Sequence, residues 1–502
     1  MRITSAKEMY EVDQYTIHDI GLGPVLMENA GRAVCHKLIP RLNHKDKILV
    51  LAGGGHNGGD GFVVARTLHN LDYDVTVLQV VPDEKLVDAT KMQKKLYLNC
   101  DGRIIVSDQI DDQLIKATVI IDAITGLGIK GILRSPLKEI VEKVNQSDAL
   151  ICSIDLPSGL PADEGITDFI AVRADITVMI GAIKESACIP FTSEYYGEWE
   201  LVHIGHPPKA FHKITKRFLM NEERFKQTIP RRKTHAHKGT HGKGLLIGGS
   251  DLMPGATVLA ARAALKTGAG LLTVASTNQV IHHVINHCPE AMLSLLPDYH
   301  GHIMNLGELS LVNFNAIALG VGLGRLEQTG ALMSTIIKQA HCPLIIDADG
   351  IYHLKPLLDT IKERTHPTII TPHPGEMARL LGIDISTLLN KPFYYSRKLA
   401  KDYGMYIILK GKETIITSPS GEQAVDLTGN PGLAKGGSGD VLTGITLAMV
   451  MQKQSIFDAL CNACFLHGTS ADLQLSRSNT VYDLLATDVI NGIPYAYKTL
   501  LG

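Results

Sequence analysis

Two carboxylates, Asp440 in "AKGGSGD" and Asp155 in "SIDLPSG", sit where the chain is bare enough for backbone to approach a ligand. Gly436, Gly437 and Gly439 precede an apolar, helix-like segment. Free amides at a helix start can hold an anion there while Asp440 takes a proton from an attacking hydroxyl. That pairing suits phosphoryl transfer, although a glycine-rich helix start serving structure alone has the same composition. A second bare stretch, "LAGGGHNGGDG" at 51–61, follows the apolar run "KILVL" and would offer amides to a pyrophosphate. It is read as neither a standard dinucleotide fingerprint nor a P-loop.

The elements that must position these residues follow from length and rhythm. A chain of 502 residues exceeds what one hydrophobic core usually organises, so at least two domains are expected. With 45% hydrophobic and 20% charged residues it is of ordinary globular type. The 49 Lys+Arg against 51 Asp+Glu leave a charge of -2, so no overall field favours nucleic acid or a membrane surface as partner. Eight scattered cysteines do not make a disulfide framework; Cys461 and Cys464, near His467, lack an evident fourth ligand for zinc and are read as core. No apolar run reaches membrane-spanning length and the N-terminal residues lack a signal-like stretch, so a cytoplasmic protein is expected.

Short apolar runs begin near residues 47, 74, 118, 149 and 176, separated by helix-like segments, and a second series begins near 244, 270, 316, 343, 368 and 406. Strands apolar on both faces predict parallel sheets covered by helices, hence an α/β fold in both halves. The rhythm stops around 205–242, where residues 224–250 contain no acidic residue. This basic stretch reads either as a solvated linker or as a lip attracting a phosphate-bearing ligand. In a parallel sheet, Asn57, Asp122, Asp155 and Ser158, each after a strand, would converge at one crevice. Their oxygens suit a weakly hydrated monovalent cation, or a plain hydrogen-bond network.

"LMENAGRAV", "GGGHNGGDG", "DAITGLG" and "SIDLPSG", spread over residues 26–159, resemble the successive motifs of the NAD(P)H-hydrate epimerase domain. The resemblance implies a Rossmann-like three-layer αβα sandwich over residues 1–215 that interconverts the R and S epimers of hydrated NADH and NADPH. It places the substrate-phosphate loop on His56, Asn57, Gly58, Gly59 and Asp60, with His56 standing where the family often has asparagine. Further substrate contacts fall on Gly126, Leu127, Gly128, Ile129, Lys130, Gly131, Ile132 and Asp155, and potassium ligands on Asn57, Asp122 and Ser158. Epimerisation passes through a species with positive charge on the ring, so Asp155 is expected as acid/base and electrostatic partner; capping of the turn before Pro157 is the plainer role.

"HKGTHGKGLLIGGSDLMPGA", "GVGLG", "IIDADG", "TPHPGE", "LKGKET" and "GGSGD" resemble, in this order, the ribokinase-like ADP/ATP-dependent NAD(P)H-hydrate dehydratase domain. Residues 216–235 are then expected to be a linker and 236–502 the second α/β domain. The resemblance implies hydrate contacts at Ala256, Gly322, His373 and Asp440, and nucleotide contacts at Lys410, Gly411, Lys412, Glu413, Thr414 and Gly439. His373 could equally be a satisfied loop histidine, and Glu376 either helps organise magnesium through water or is a helix N-terminal carboxylate. The implied partners are hydrated NADH and NADPH with ADP or ATP, the fused arrangement favouring ADP, together with magnesium, potassium and self-association into a homo-oligomer. The alternative is a ribokinase-like small-molecule or vitamin-precursor kinase with a binding-only N-terminal domain.

Overall fold

The structure is a computed structural model that describes residues 1–105, 110–129 and 131–502, so Lys130 lies outside the described residues. The chain divides into two compact units, Met1–Arg217 and Phe218–Gly502. Among the described residues no helix is long and apolar enough to cross a membrane.

The first unit contains a seven-stranded sheet in the order Arg103–Ile105, Asp74–Gln79, Lys47–Ala52, Val119–Ala123, Leu150–Ile154, Ile176–Ile180, Glu198–Val202. All of its pairings are parallel. The apolar run 48–52 explains why. Ile48, Val50 and Ala52 face a core that includes Phe62 and Val64 of helix His56–His69, whereas Leu49 and Leu51 face one that includes Ile140 and Val144 of helix Leu137–Val144. A strand buried on both sides needs helices on both sides, which only crossover connections supply. The order runs outward from Lys47–Ala52 to Arg103–Ile105 and then returns to Val119–Ala123 on the other flank. That reversal opens a crevice at the carboxyl ends of the two central strands.

The second unit orders its strands Met292–Leu295, Leu271–Ser276, Lys243–Ile247, Ala316–Leu319, Leu344–Ile346, Thr368–Ile370, Tyr406–Leu409, then adds Thr414–Thr417 and Gln423–Asp426 antiparallel. Its most buried helix is Ser438–Val450, apolar nearly all round. Gly444 lets it pack closely on helix Pro254–Thr267, because a Cβ there would fall 2.1 Å from the Ala260 carbonyl oxygen.

The stretch 216–235 differs from the expected linker. Residues Glu222–Thr228 form a helix capped by Asn221, and Phe225 is fully buried in the second unit's core beside Phe465. One aromatic anchor suffices to dock a helix whose remaining surface is charged, which hides it from an apolar-periodicity reading. Three cations of the basic stretch are likewise committed: Lys226 pairs with Glu222, Arg224 pairs with Asp458 and lies over the Phe218 ring, and Arg232 donates to the Gly268 carbonyl.

Candidate active sites

In the first unit the chain leaves strand Lys47–Ala52 and enters helix His56–His69 through 53–55. Gly53, Gly55 and Gly58 have the G-x-G-x-x-G spacing, so the expectation that no dinucleotide-type fingerprint stands here is corrected. The spacing has a local reason: a Cβ on Gly53 would lie 1.8 Å from the Ile124 carbonyl oxygen, and one on Gly58 1.9 Å from that of Gly53. Bare backbone therefore brings the loop against the exit of strand Val119–Ala123.

Asn57, Asp122 and Ser158 meet at Thr125. Asn57 Nδ2 donates to the Thr125 carbonyl (2.8 Å), and the Thr125 amide donates to Ser158 Oγ (2.8 Å). The buried Asp122 carboxylate accepts from Ser153 Oγ and the Ser158 amide on one oxygen, each 2.8 Å, and from Ser158 Oγ (2.5 Å) and the Ile124 amide (3.3 Å) on the other. Burial pushes Asp122 up despite these donors, which pull it down. A hydrogen-bond network is thus present, yet Asn57 Oδ1 is buried and accepts nothing. That orphaned acceptor is where a cation would fit, since a buried oxygen without a donor is costly.

Asp155 does more than cap a turn. Its backbone adopts φ +67°, a left-handed conformation costly for a residue with a Cβ. Its Oδ1 accepts from the Ile180 amide (2.9 Å) and from Lys184 Nζ (2.6 Å). Asp60, on the first turns of helix His56–His69, is pushed well above the carboxylate range by burial and by the neighbouring Asp155 and Asp13 carboxylates. Of the second substrate loop, Leu127 packs with Met9 and Val12 and Ile129 joins the core below, while Gly128, Gly131 (φ +77°) and Ile132 are exposed beyond the half-buried Gly126. His56 is exposed at the helix start.

In the second unit, strand Leu344–Ile346 delivers Asp347 and Asp349 around Ala348, itself at φ +49°. Asp347 is fully buried; Oδ1 accepts from Lys410 Nζ (2.8 Å) and Oδ2 from Thr443 Oγ1 (2.6 Å). Burial alone would raise Asp347, but Lys410 and Thr443 hold it below its usual value. Lys410, although burial works against its charge, is held above its usual value by Asp347, Glu376 and Asp440. Helix Ser438–Val450 starts after Gly437 at φ +92° with no side-chain cap; its Ser438 amide donates to the Lys435 carbonyl (3.4 Å), and the amides that follow in the first turn have no intrahelical acceptor. A Cβ on Gly439 would stand 3.4 Å from Lys410 Nζ, so the ammonium lies against this first turn. Asp440 beside it is raised to about 7, first by burial and then by the Asp347 charge, with Lys410 opposing.

The other expected contacts are distributed unevenly. Gly322 (φ +59°) adjoins Ala256: a Cβ on it would meet Ala256 Cβ at 3.1 Å and the Met253 carbonyl oxygen at 2.8 Å. His373 caps helix Pro374–Leu381, Nδ1 accepting from the Gly375 (3.0 Å) and Glu376 (3.4 Å) amides while Glu376 Oε2 accepts from the His373 amide. Its proton therefore sits on Nε2, on a half-exposed ring, and Glu376 is a helix-capping carboxylate. Gly411, Lys412 and Glu413 lie in the turn between strands Tyr406–Leu409 and Thr414–Thr417, with Thr414, the first residue of the second strand, donating from Oγ1 to the Gly411 carbonyl and Lys412 exposed. Cys461 and Cys464 are buried thiols raised by desolvation, and His467, lowered to about 4 by burial, bonds the Ser438 backbone. Among the described residues no group of three or more His, Cys, Asp or Glu side chains is placed to hold a metal. Lys184, Asp347 and Thr443 escaped sequence reasoning; only the place of Asp347 directly after a strand could have signalled it.

Comparison with known proteins fixes the class. The second unit resembles the Bacillus subtilis ADP/ATP-dependent NAD(P)H-hydrate dehydratase crystallised with ATP and magnesium, at 33% identity and TM-score 0.50, over 56% of this chain and 98% of that one. It also resembles a ribokinase-like superfamily protein from Enterococcus faecalis, at 26% identity and TM-score 0.50, over 57% and 96%. The chain is therefore a ribokinase-like α/β unit preceded by a Rossmann-like one. Residues 244–495 match the NAD(P)H-hydrate dehydratase family and residues 23–186 the YjeF-related protein N-terminus. A bifunctional NAD(P)H-hydrate repair enzyme from Moorella thermoacetica is 31% identical over 100% of this chain and 97% of its own length. The chain belongs to the family of bifunctional NAD(P)H-hydrate repair enzymes.

Proposed function

We propose that the chain restores hydrated NADH and NADPH, the first unit (Met1–Arg217) interconverting the R and S epimers and the second (Phe218–Gly502) dehydrating the S epimer with consumption of ADP or ATP. One observation supports the second step above all: Asp440, at about 7, stands at an amide-rich helix start against the Lys410 ammonium. At that value the carboxylate is a base matched to neutral solution. It accepts the proton of the hydrate hydroxyl as that oxygen attacks the terminal phosphorus of the nucleotide and the phosphoanhydride bond breaks. The helix amides and Lys410 hold the phosphoryl oxygens. Phosphate then leaves with the C–O bond electrons, a ring proton departs, and the double bond returns. Ala256, with Gly322 beside it, would lie against the hydrate ring, with His373 Nε2–H as a donor at its edge.

Magnesium, when bound, offsets charge on the nucleotide phosphates; with Glu376 engaged as a cap, the nucleotide and water would supply its coordination. ADP is the preferred nucleotide in this reading, with Lys410 and Gly439 as its contacts and Gly411–Thr414 as a flanking turn. In the first unit the hydroxyl leaves and returns, or the ring opens, through a cationic species that the Asp155 carboxylate stabilises. The loop 56–60 and residues Gly126–Ile132 would hold its phosphates and ribose. Asn57 Oδ1, Asp122 and Ser158 would hold potassium, Asp122 exchanging its bond from the Ser158 hydroxyl to do so. Potassium there supplies positive charge next to the substrate phosphates. Self-association, on the strength of the family resemblance, and a cytoplasmic location, expected from the residue pattern, complete the reading.

The test is product analysis on S hydrate with ADP and magnesium. Free phosphate released in step with recovery of the reduced-nicotinamide absorbance is expected. A stable phosphorylated alcohol without recovery would instead establish a small-molecule kinase.

A further inference from the structure

We propose that Lys184 is the positioning residue of the first site, holding the Asp155 carboxylate in the orientation epimerisation needs. The inference rests on the epimerase reading of that site and adds a residue to it.

Lys184 is among the largest fully buried side chains, at 1% exposure. A buried ammonium is strongly unfavourable unless every proton is used. Here all three are: Nζ donates to Asp155 Oδ1 at 2.6 Å and to the Ile180 and Ala182 carbonyls at 2.9 Å each. The backbone builds this socket deliberately. Strand Ile176–Ile180 ends at Gly181, φ +74°, where a Cβ would fall 2.9 Å from both Met9 Cε and His206 Cε1. The turn curls the chain so that Ile183–Lys184 pairs in parallel with Arg2–Thr4, Lys184 opposite Thr4. The side chain then returns to the carbonyls of its own turn. Two carbonyls fix the ammonium, and the ammonium fixes Asp155.

Asp155 needs such a restraint. Both bonds it accepts, from the Ile180 amide and from Lys184, fall on Oδ1 and come from this one turn. The acidic groups around it offer no attraction that would hold it instead. Asp60 faces it from helix His56–His69, and Asp13, bonded to His206 at 2.8 Å, lies on helix Ala6–Gln14. Beyond Lys184, Glu185 pairs with Arg217 at 2.5 Å, with Asp163 nearby, and the Tyr196 hydroxyl pairs with Ser186. Lys184 is the cation that touches Asp155. Because it acts through that carboxylate, its removal should cost orientation rather than affinity.

The experiment uses the full-length chain with Lys184→Met, Lys184→Arg, Asp155→Asn and the double variant Asp155→Asn/Lys184→Met. R-to-S conversion is followed at saturating and limiting hydrate, with turnover of pure S hydrate as control for the second unit. Lys184→Met is expected to lower epimerase kcat about 100-fold, the effect of roughly 1 Å of misplacement, with KM within about twofold. Lys184→Arg should fall between it and wild type. In the Asp155→Asn background, Lys184→Met should have no further effect, because two residues acting as one unit are not additive. Wild-type kcat in Lys184→Met, a matching loss in KM, or full additivity with Asp155→Asn would overturn the assignment. Should Lys184→Met not fold, Lys184→Arg decides: a kcat at least about fivefold down with KM kept supports positioning, and wild-type kcat overturns it. Full epimerase activity in Asp155→Asn would overturn the role of Asp155 and with it that of Lys184, whereas no R-to-S conversion by wild type would sink the epimerase reading itself.

Discussion

Asp440 ties catalysis and stability to the same proton. Its carboxyl is raised from 3.8 to about 7, with burial the first cause and the Asp347 charge the second. A rise of about three pH units corresponds to at most about 4 kcal/mol of unfavourable ionisation, less for the part of the group that solvent screens. If the ionised form is the base, dehydration of S hydrate at limiting substrate should be about fivefold slower at pH 6 than at pH 7, and about fiftyfold slower at pH 5. An unperturbed carboxylate would leave the rate flat over that range. The sign for stability is opposite. A folded value above the unfolded one contributes stability that is complete below about pH 4 and is lost as pH rises through about 7. Asp440→Asn removes this loss: the variant should unfold at a higher temperature than wild type at pH 8 and at the same temperature near pH 4, while its kcat falls about 100- to 10,000-fold. A pH-independent wild-type rate between 5 and 7, or an Asp440→Asn variant no more stable than wild type at pH 8, would refute the reasoning.

Other consequences are separately measurable. Asn57→Ala removes the orphaned Oδ1 and the bond to Thr125, so epimerisation should lose any stimulation by potassium over choline; stimulation retained in full would place the ion elsewhere. Gly322→Ala forces a Cβ into a positive-φ site 2.8 Å from the Met253 carbonyl, at about 1–2 kcal/mol of strain, and should raise KM for the hydrate while KM for the nucleotide is kept. Phe225→Ala should destabilise the second unit by about 3–5 kcal/mol in denaturant unfolding, because its ring is wholly buried against Phe465; a change below about 1 kcal/mol would mean that the helix Glu222–Thr228 is not part of that core.

The strands were readable because runs such as "KILVLA" and "TVIIDAI" are apolar throughout, which in a parallel sheet means burial on both faces. Residues at strand ends were readable for the same reason: of the four expected at one crevice, Asn57, Asp122 (inside strand Val119–Ala123) and Ser158 are linked around Thr125, whereas Asp155 is bonded to Ile180 and Lys184 instead. What escaped depends on contacts that periodicity does not encode. Lys184 lies 29 residues after Asp155 at the end of an apolar run, and the Gly181 turn brings its ammonium back. Asp347 matters through Lys410, which is 63 residues away. His373 and Glu376 read as ligand candidates because a capping box uses the same residue types as a site does. The 216–235 stretch reads as a linker because its helix shows one buried aromatic among charges.

The most direct measurement is recovery of reduced-nicotinamide absorbance from a mixture of R and S hydrates, with ADP and magnesium, in wild type, Asp155→Ala and Asp440→Ala. Complete recovery in wild type, recovery that slows once the S fraction is consumed in Asp155→Ala, and none in Asp440→Ala are predicted. No recovery by wild type with either ADP or ATP would contradict the account.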